Sequence, residues 1–243
     1  MRFTIALHCL FVAALLFAIP SSALEPPEWV RESGGGAPVG APPPCALATN
    51  RNGTCANYRW YNVCNGYVWL YRSFQSGEGV GVLFGGPEQP CVAPGNRVKR
   101  IITYFRNVCF ACGYGTVNVY LDRDDTGDGC PDGVLASTLG LDPGLRWNCS
   151  NYNVTIPPGL SWLIVRQVAN SYRIPGFATD GPFKQDCDPL GFPRSFYYGI
   201  NGSTCVPWVG PTGRKDNFLS WLIVDSGVTS TANTSWGRIK GLF

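Results

Sequence analysis

Thr116-Val-Asn-Val-Tyr-Leu121 sets Val117, Val119 and Leu121 in alternation with Thr116, Asn118 and Tyr120. A two-residue period puts the apolar side chains on one face of a strand and the polar ones on the other. An acidic loop follows, Asp122-Arg-Asp-Asp-Thr-Gly-Asp-Gly129, and then a Cys130-Pro-Asp-Gly133 turn. Beyond Pro157-Pro158 comes Gly159-Leu-Ser-Trp-Leu-Ile-Val165, and its last five residues return as Ser220-Trp-Leu-Ile-Val224. Five residues are too few to make a solenoid, and no period of about 20–50 residues runs through the chain. Two similar buried strands, one in each of two sheets, account for the repeat.

Outward from this stretch the same grammar continues. Gly66-Tyr-Val-Trp-Leu-Tyr71, Val80-Gly-Val-Leu-Phe84, Val98-Lys-Arg-Ile-Ile-Thr-Tyr-Phe105, Val154-Thr-Ile156 and Arg194-Ser-Phe-Tyr-Tyr-Gly-Ile200 are short, rich in β-branched and aromatic residues, and separated by Gly, Pro and Asn. Residues 177–193 read mostly as loop. Short strands without helical periodicity predict an all-β fold, an antiparallel β-sandwich of jelly-roll-like type.

The ends differ in character. Residues 1–23 have a basic start, an apolar run and small residues before Ala23, as in a secretory signal peptide. Residues 24–53 are rich in Pro and Gly and read as a linker, 54–227 as the sandwich domain, and 228–243 as a Ser/Thr-rich tether with a short apolar and basic tail. No later stretch reaches the roughly 20 apolar residues of a membrane span. The expected location is therefore secreted, extracellular or in the cell envelope.

Cysteine usage agrees with export. Setting aside Cys9 in the signal segment leaves Cys45, Cys55, Cys64, Cys91, Cys109, Cys112, Cys130, Cys149, Cys187 and Cys205, an even set. In an oxidising compartment such a set forms a disulfide framework, whose connectivity spacing alone does not give. Cys109-Phe-Ala-Cys112 has the Cys-x-x-Cys spacing but lies in a β-rich region, away from the helix start that activates redox thiols.

The order of motifs resembles a jelly-roll accessory domain of secreted bacterial proteins, often found beside peptidase or adhesion modules. The resemblance covers roughly 98–225 and rests on Pro131-Asp-Gly-Val-Leu-Ala136, Gly159-Leu-Ser-Trp162, Phe177-Ala-Thr-Asp-Gly-Pro182, Arg194-Ser-Phe-Tyr-Tyr-Gly199 and Trp208. It implies architecture and export rather than a particular activity. The ten cysteines depart from the usual pattern of such domains.

Composition closes several chemistries. The sole histidine, His8, lies in the signal segment, so the mature chain holds neither a His-based triad nor a His-ligated metal site. The formal charge of +3 becomes +2 when Arg2 leaves, and scattered basic residues leave no nucleic-acid footprint. All glutamates lie at or before Glu88, so an Asp-dependent extracellular hydrolase acting on glycans, the alternative function, draws on Asp180, Asp186 and Asp188. Asp122, Asp124, Asp125, Asp128 and Asp132 form a candidate Ca²⁺ loop, although Gly133 stands where an EF-hand places its bidentate Glu.

Trp147, Tyr152, Tyr172, Tyr197, Tyr198 and Trp208 are the candidate aromatic contacts for a ligand, because ring faces complement the C–H faces of sugars. Trp162 and Trp221 read as core. Sequons start at Asn52, Asn148, Asn153, Asn201 and Asn233. These features lead to a secreted, non-catalytic binding or structural module contacting glycans, a surface polymer or a protein, with a purely structural envelope component as a further alternative. Intact-mass alkylation of the oxidised mature chain is expected to find no free thiol. Two or more alkylatable cysteines would break the five-bridge framework.

Overall fold

The computed structural model describes residues 28–31, 54–59, 67–71, 74–107, 115–142, 147–171, 175–180, 194–209 and 217–225. The expectations for residues 1–23, for Cys45, Cys64, Cys109, Cys112, Cys187, Asp186, Asp188 and Tyr172, and for the tail from 228 fall outside these ranges. The strands are β1 (Glu28–Arg31), β2 (Thr54–Arg59), β3 (Tyr67–Tyr71), β4 (Gly79–Gly85), β5 (Arg97–Asn107), β6 (Val117–Asp124) and β7 (Gly133–Leu141). They continue with β8 (Trp147–Thr155), β9 (Trp162–Ala169), β10 (Pro175–Thr179), β11 (Ser195–Tyr198), β12 (Cys205–Pro207) and β13 (Ser220–Asp225). The described residues contain no α-helix, only a 3-10 turn at Ile200–Gly202, and no helix long and apolar enough to cross a membrane.

Every pairing is antiparallel, and the strands form two sheets. One runs β1-β3-β10-β5-β13-β2, with β8 also paired to β5 off this path; the second runs β12-β11-β4-β9-β6-β7. The chain crosses repeatedly between the two, as in a jelly-roll-like sandwich. The core is built by alternation. Val80, Val82 and Phe84 of β4, Val117, Val119 and Leu121 of β6, and Leu163 and Val165 of β9 meet Val98, Ile101, Phe105, Leu222 and Val224 of the facing sheet in one buried cluster.

The repeated pentamer finds its explanation here. Its two copies lie in β9 and β13, one in each sheet, and both turn Leu and Val inward, Leu163 and Val165 against Leu222 and Val224. Both turn Trp and Ile outward, Trp162 and Ile164 on one sheet and Trp221 and Ile223 on the other. Between the sheets, Gln167 Nε2 donates to Ser220 Oγ at 3.2 Å, with both residues fully buried.

Three elements depart from the sequence reading. β7 occupies residues that read as turn and loop. Two irregularities in its register against β6, between Val117 and Val119 and between Leu121 and Asp122, erase the simple alternation. β10 lies partly in the expected loop, because a strand buried along its whole length and set between β3 and β5 carries no period-2 signal. β1 lies within the stretch read as linker and pairs with β3 from Glu28 opposite Leu70 to Arg31 opposite Tyr67. Of the described sequons, Asn148 is buried within β8, whereas Asn153 and Asn201 are exposed.

The Gln167–Ser220 contact generates a test. Ser220→Ala removes the acceptor of a buried amide donor and is expected to cost about 1–3 kcal/mol in denaturant unfolding. Adding Gln167→Leu is expected to recover most of the loss, because no buried polar atom is then left without a partner.

Candidate functional site

The polar positions of β6 and β9 converge on the outer face of the six-stranded sheet. Register places Tyr120 opposite Arg166, Asp122 opposite Ile164 and Asp124 opposite Trp162. Arg166 Nε donates to Asp122 Oδ2 at 2.6 Å and its Nη2 to Asp122 Oδ1 at 3.2 Å, a two-point contact. The guanidinium lies over the Tyr120 ring at 4.5 Å and over the Tyr198 ring at 5.8 Å. Burial alone would lower the Arg166 pKa; the hydrogen bonds and charge of Asp122 more than offset it and hold the cation above its ordinary value. Burial pushes the Asp122 carboxyl up, against the opposing pull of Arg166.

The acidic loop folds back over one end of this face. Asp124 organises it: Oδ1 accepts from the Thr126 and Gly127 backbone N–H groups at 3.1 and 2.6 Å and from the Thr126 hydroxyl at 3.2 Å, and Oδ2 from Gly129 N at 2.8 Å. Asp128 Oδ1 accepts from Cys130 N at 2.8 Å, and Asp132 Oδ2 from Asp125 N at 2.6 Å. Tyr198 donates its phenol to Gly129 O at 2.7 Å, and the Cys130–Cys205 disulfide ties the loop to β12. Gly127 and Gly129 both have positive φ, at 78° and 86°, and a Cβ on either would strike Trp162 or Phe196. Glycine is required here both for backbone conformation and for close approach.

The carboxylates of Asp124, Asp128 and Asp132 are thus directed at backbone amides and that of Asp122 at Arg166, while Asp125 Oδ2 lies 3.7 Å from Arg123 Nη2. Among the described residues no group of three or more His, Cys, Asp or Glu side chains is arranged to hold a metal ion. Asp180 is likewise occupied, its Oδ1 accepting from Asn217 N at 2.8 Å. The disulfide expectation is met where it is described: Cys130 and Cys205 pair with each other, and Cys91 and Cys149 are disulfide-bonded as well.

The five candidate aromatic contacts among the described residues do not converge. Trp208 is 2% exposed and stands edge-on to Tyr71 in the core, and Tyr198 is 1% exposed beneath the acidic loop, so both are packing residues. Tyr197 is half-buried and donates to Glu78 Oε1 at 2.7 Å; burial first, then Glu78, raises its pKa. Tyr152 bridges the sheets, accepting from Thr138 Oγ1 at 3.0 Å and donating to Val119 O at 3.3 Å. Trp147 packs edge-on against Tyr104 on the outer face of the other sheet.

Beyond the loop the outer face of the six-stranded sheet opens onto residues outside the candidate aromatic set. Tyr120 and Arg166 are half-buried there, beside a side-chain amide network. Asn170 Nδ2 donates to Asn118 Oδ1 and Thr116 Oγ1, each at 2.8 Å, and Asn118 Nδ2 donates to Tyr120 OH at 3.3 Å. Thr116, Asn118 and Tyr120 are the polar half of the alternation in the opening strand, so the signal for this face was present there. In comparisons with known proteins, no family model, no characterised protein and no solved structure matches this chain.

Tyr198 supplies a pH test. Burial first, then the charge of Asp122, raises its pKa well above 10.0. A group with a raised native pKa gives stability that is fully present below its unfolded pKa and lost as pH climbs toward the native value. Tyr198→Phe is expected to cost about 1 kcal/mol at neutral pH for the lost hydrogen bond. It should also flatten the fall of melting temperature above roughly pH 10, the ordinary tyrosine value. An unchanged alkaline slope would remove Tyr198 as its source.

Proposed function

We propose that the chain is an exported, non-catalytic binding or structural β-sandwich module that contacts glycans or another surface polymer through the open part of its six-stranded sheet. The observation that carries this reading is the arrangement of Tyr120, Arg166, Asn118 and Asn170. An aromatic ring, a fixed guanidinium and a side-chain amide network stand side by side on rigid strands. Asp122 holds Nε and Nη2 of Arg166 and so fixes the guanidinium beside the Tyr120 ring. Arg166 covers one face of the Tyr120 ring, so C–H contact falls to the other face; an aromatic ring flanked by a few fixed donors and acceptors is the chemistry a pyranose needs.

Paired cysteines support export, because disulfides persist in oxidising compartments. The resemblance to accessory domains of secreted bacterial proteins supports the same reading. A hydrolase needs carboxylates directed at a substrate. Of the carboxylates offered for that role, Asp180 accepts from Asn217 N, and Asp186 and Asp188 lie outside the described residues.

Binding to insoluble polysaccharides and to a glycan array is the direct test. The oxidised mature chain is expected to bind at least one polymer. Tyr120→Ala is expected to weaken that binding about tenfold or more, equivalent to roughly 1.4 kcal/mol, with the melting temperature changed by only a few degrees. Wild-type affinity in the Tyr120 variant would move the contact off this face.

A further inference from the structure

The six-stranded sheet ends in two very different edges. β12 is three residues long and closes with Pro207, two features that guard an edge against pairing. β7 is nine residues long, Gly133-Val-Leu-Ala-Ser-Thr-Leu-Gly-Leu141, with neither a charge nor a proline. Among the described residues its only strand partner is β6. The nearest charged residues in sequence, Asp132 and Asp142, lie beyond its two ends. Val134 is 56% and Leu139 64% exposed.

The register of β7 makes this edge self-complementary. Ser137 is opposite Tyr120 and Val134 opposite Asp122, so both lie on the outer face, two ladder steps apart, with Leu135 as the extra residue between Val134 and Ala136. Thr138 is opposite Val119 and turns inward, so Leu139 returns to the outer face beside Asn118, two ladder steps from Ser137 on the other side. The two exposed apolar side chains are therefore placed symmetrically about Ser137, and the irregularities in register produce the symmetry. In an antiparallel pair related by a two-fold axis, residues equidistant from the axis stand opposite one another.

We infer that β7 pairs with β7 of a second copy of this chain, antiparallel about a two-fold axis at Ser137. Val134 of each copy then packs against Leu139 of the other, twice over. No charge lies along the strand itself; Asp132 and Asp142, each one residue past an end of the strand and equally far from the axis, stand opposite one another at the two ends, where both are exposed. The paired sheets become one continuous sheet, with Tyr120 and Arg166 of both copies on the same side. This inference goes beyond the polymer-binding reading and does not depend on it.

Analytical ultracentrifugation of the oxidised mature chain is expected to show a monomer–dimer equilibrium below about 100 μM. Val134→Lys with Leu139→Lys changes only exposed side chains and is expected to weaken dimerisation at least tenfold at an unchanged melting temperature. Directly opposite residues of an antiparallel pair have Cα atoms about 4.5–5.5 Å apart, within disulfide range. Ser137→Cys is therefore expected to give a covalent dimer under mild oxidation, whereas Ser161→Cys, exposed just before β9, is not. A chain that stays monomeric at that concentration overturns the inference. So does a dimer that survives the double lysine variant, or one that Ser137→Cys fails to cross-link.

Discussion

The register between β6 and β9 is the constraint on which both the core and the outer face depend. Leu121 opposite Val165 places both residues in the buried cluster, and Tyr120 opposite Arg166 places that pair outside. Because side chains alternate, a slip of one residue in either strand would drive Arg166 or Asp122 into the space now filled by valines. The cost of burying an unpaired charge makes this register far more favourable than its neighbours. The outer polar face and the hydrophobic core are two readings of one alignment.

The Asp122–Arg166 pair has to be read with that cost in mind. Removing an ionised carboxylate and a guanidinium from water is expensive, and their mutual attraction recovers the expense only when the geometry is good. Here the two-point contact and the flanking tyrosine rings supply it, with Asp122 fully buried and the Arg166 side chain 14% exposed. The net contribution to stability is small, but the loss of either partner leaves a buried charge without its counterpart. The pair therefore acts mainly to fix position: it holds the guanidinium 4.5 Å from the centre of the Tyr120 ring.

The all-β class and most strands were legible in the sequence because their physics is local. Alternation in β6, the apolar run of β4 and the repeated pentamer each state a periodicity that a strand must satisfy. β7 was hidden because its irregular register breaks alternation, and β10 because complete burial removes it. The candidate site was legible only in part. Tyr198 and Trp208 lie near turns and resemble surface aromatics in sequence, but the acidic loop covers the first and the second packs between Tyr71 and Phe218. The acidic loop itself has the composition of a cation site, yet three-dimensional proximity gives its carboxylates to backbone amides. Arg166 carries no sequence signal of its own; only its alignment with Tyr120 singles it out.

The order in which the strands are made differs from the order in which they pair. β13, the last described strand, lies between β5 and β2, and β5 finds its neighbours in β8, β10 and β13. The bond from Cys130 to Cys205 likewise spans 75 residues. As the chain emerges from its N-terminus, β2 has no partner until residues 220–225 arrive, and one side of β5 stays bare for nearly as long. Distant pairing of this kind makes folding slow and leaves strand edges open while it proceeds. The sandwich therefore cannot close before β13 arrives. A chain truncated before β13 would be an aggregation-prone fragment rather than a smaller version of the domain.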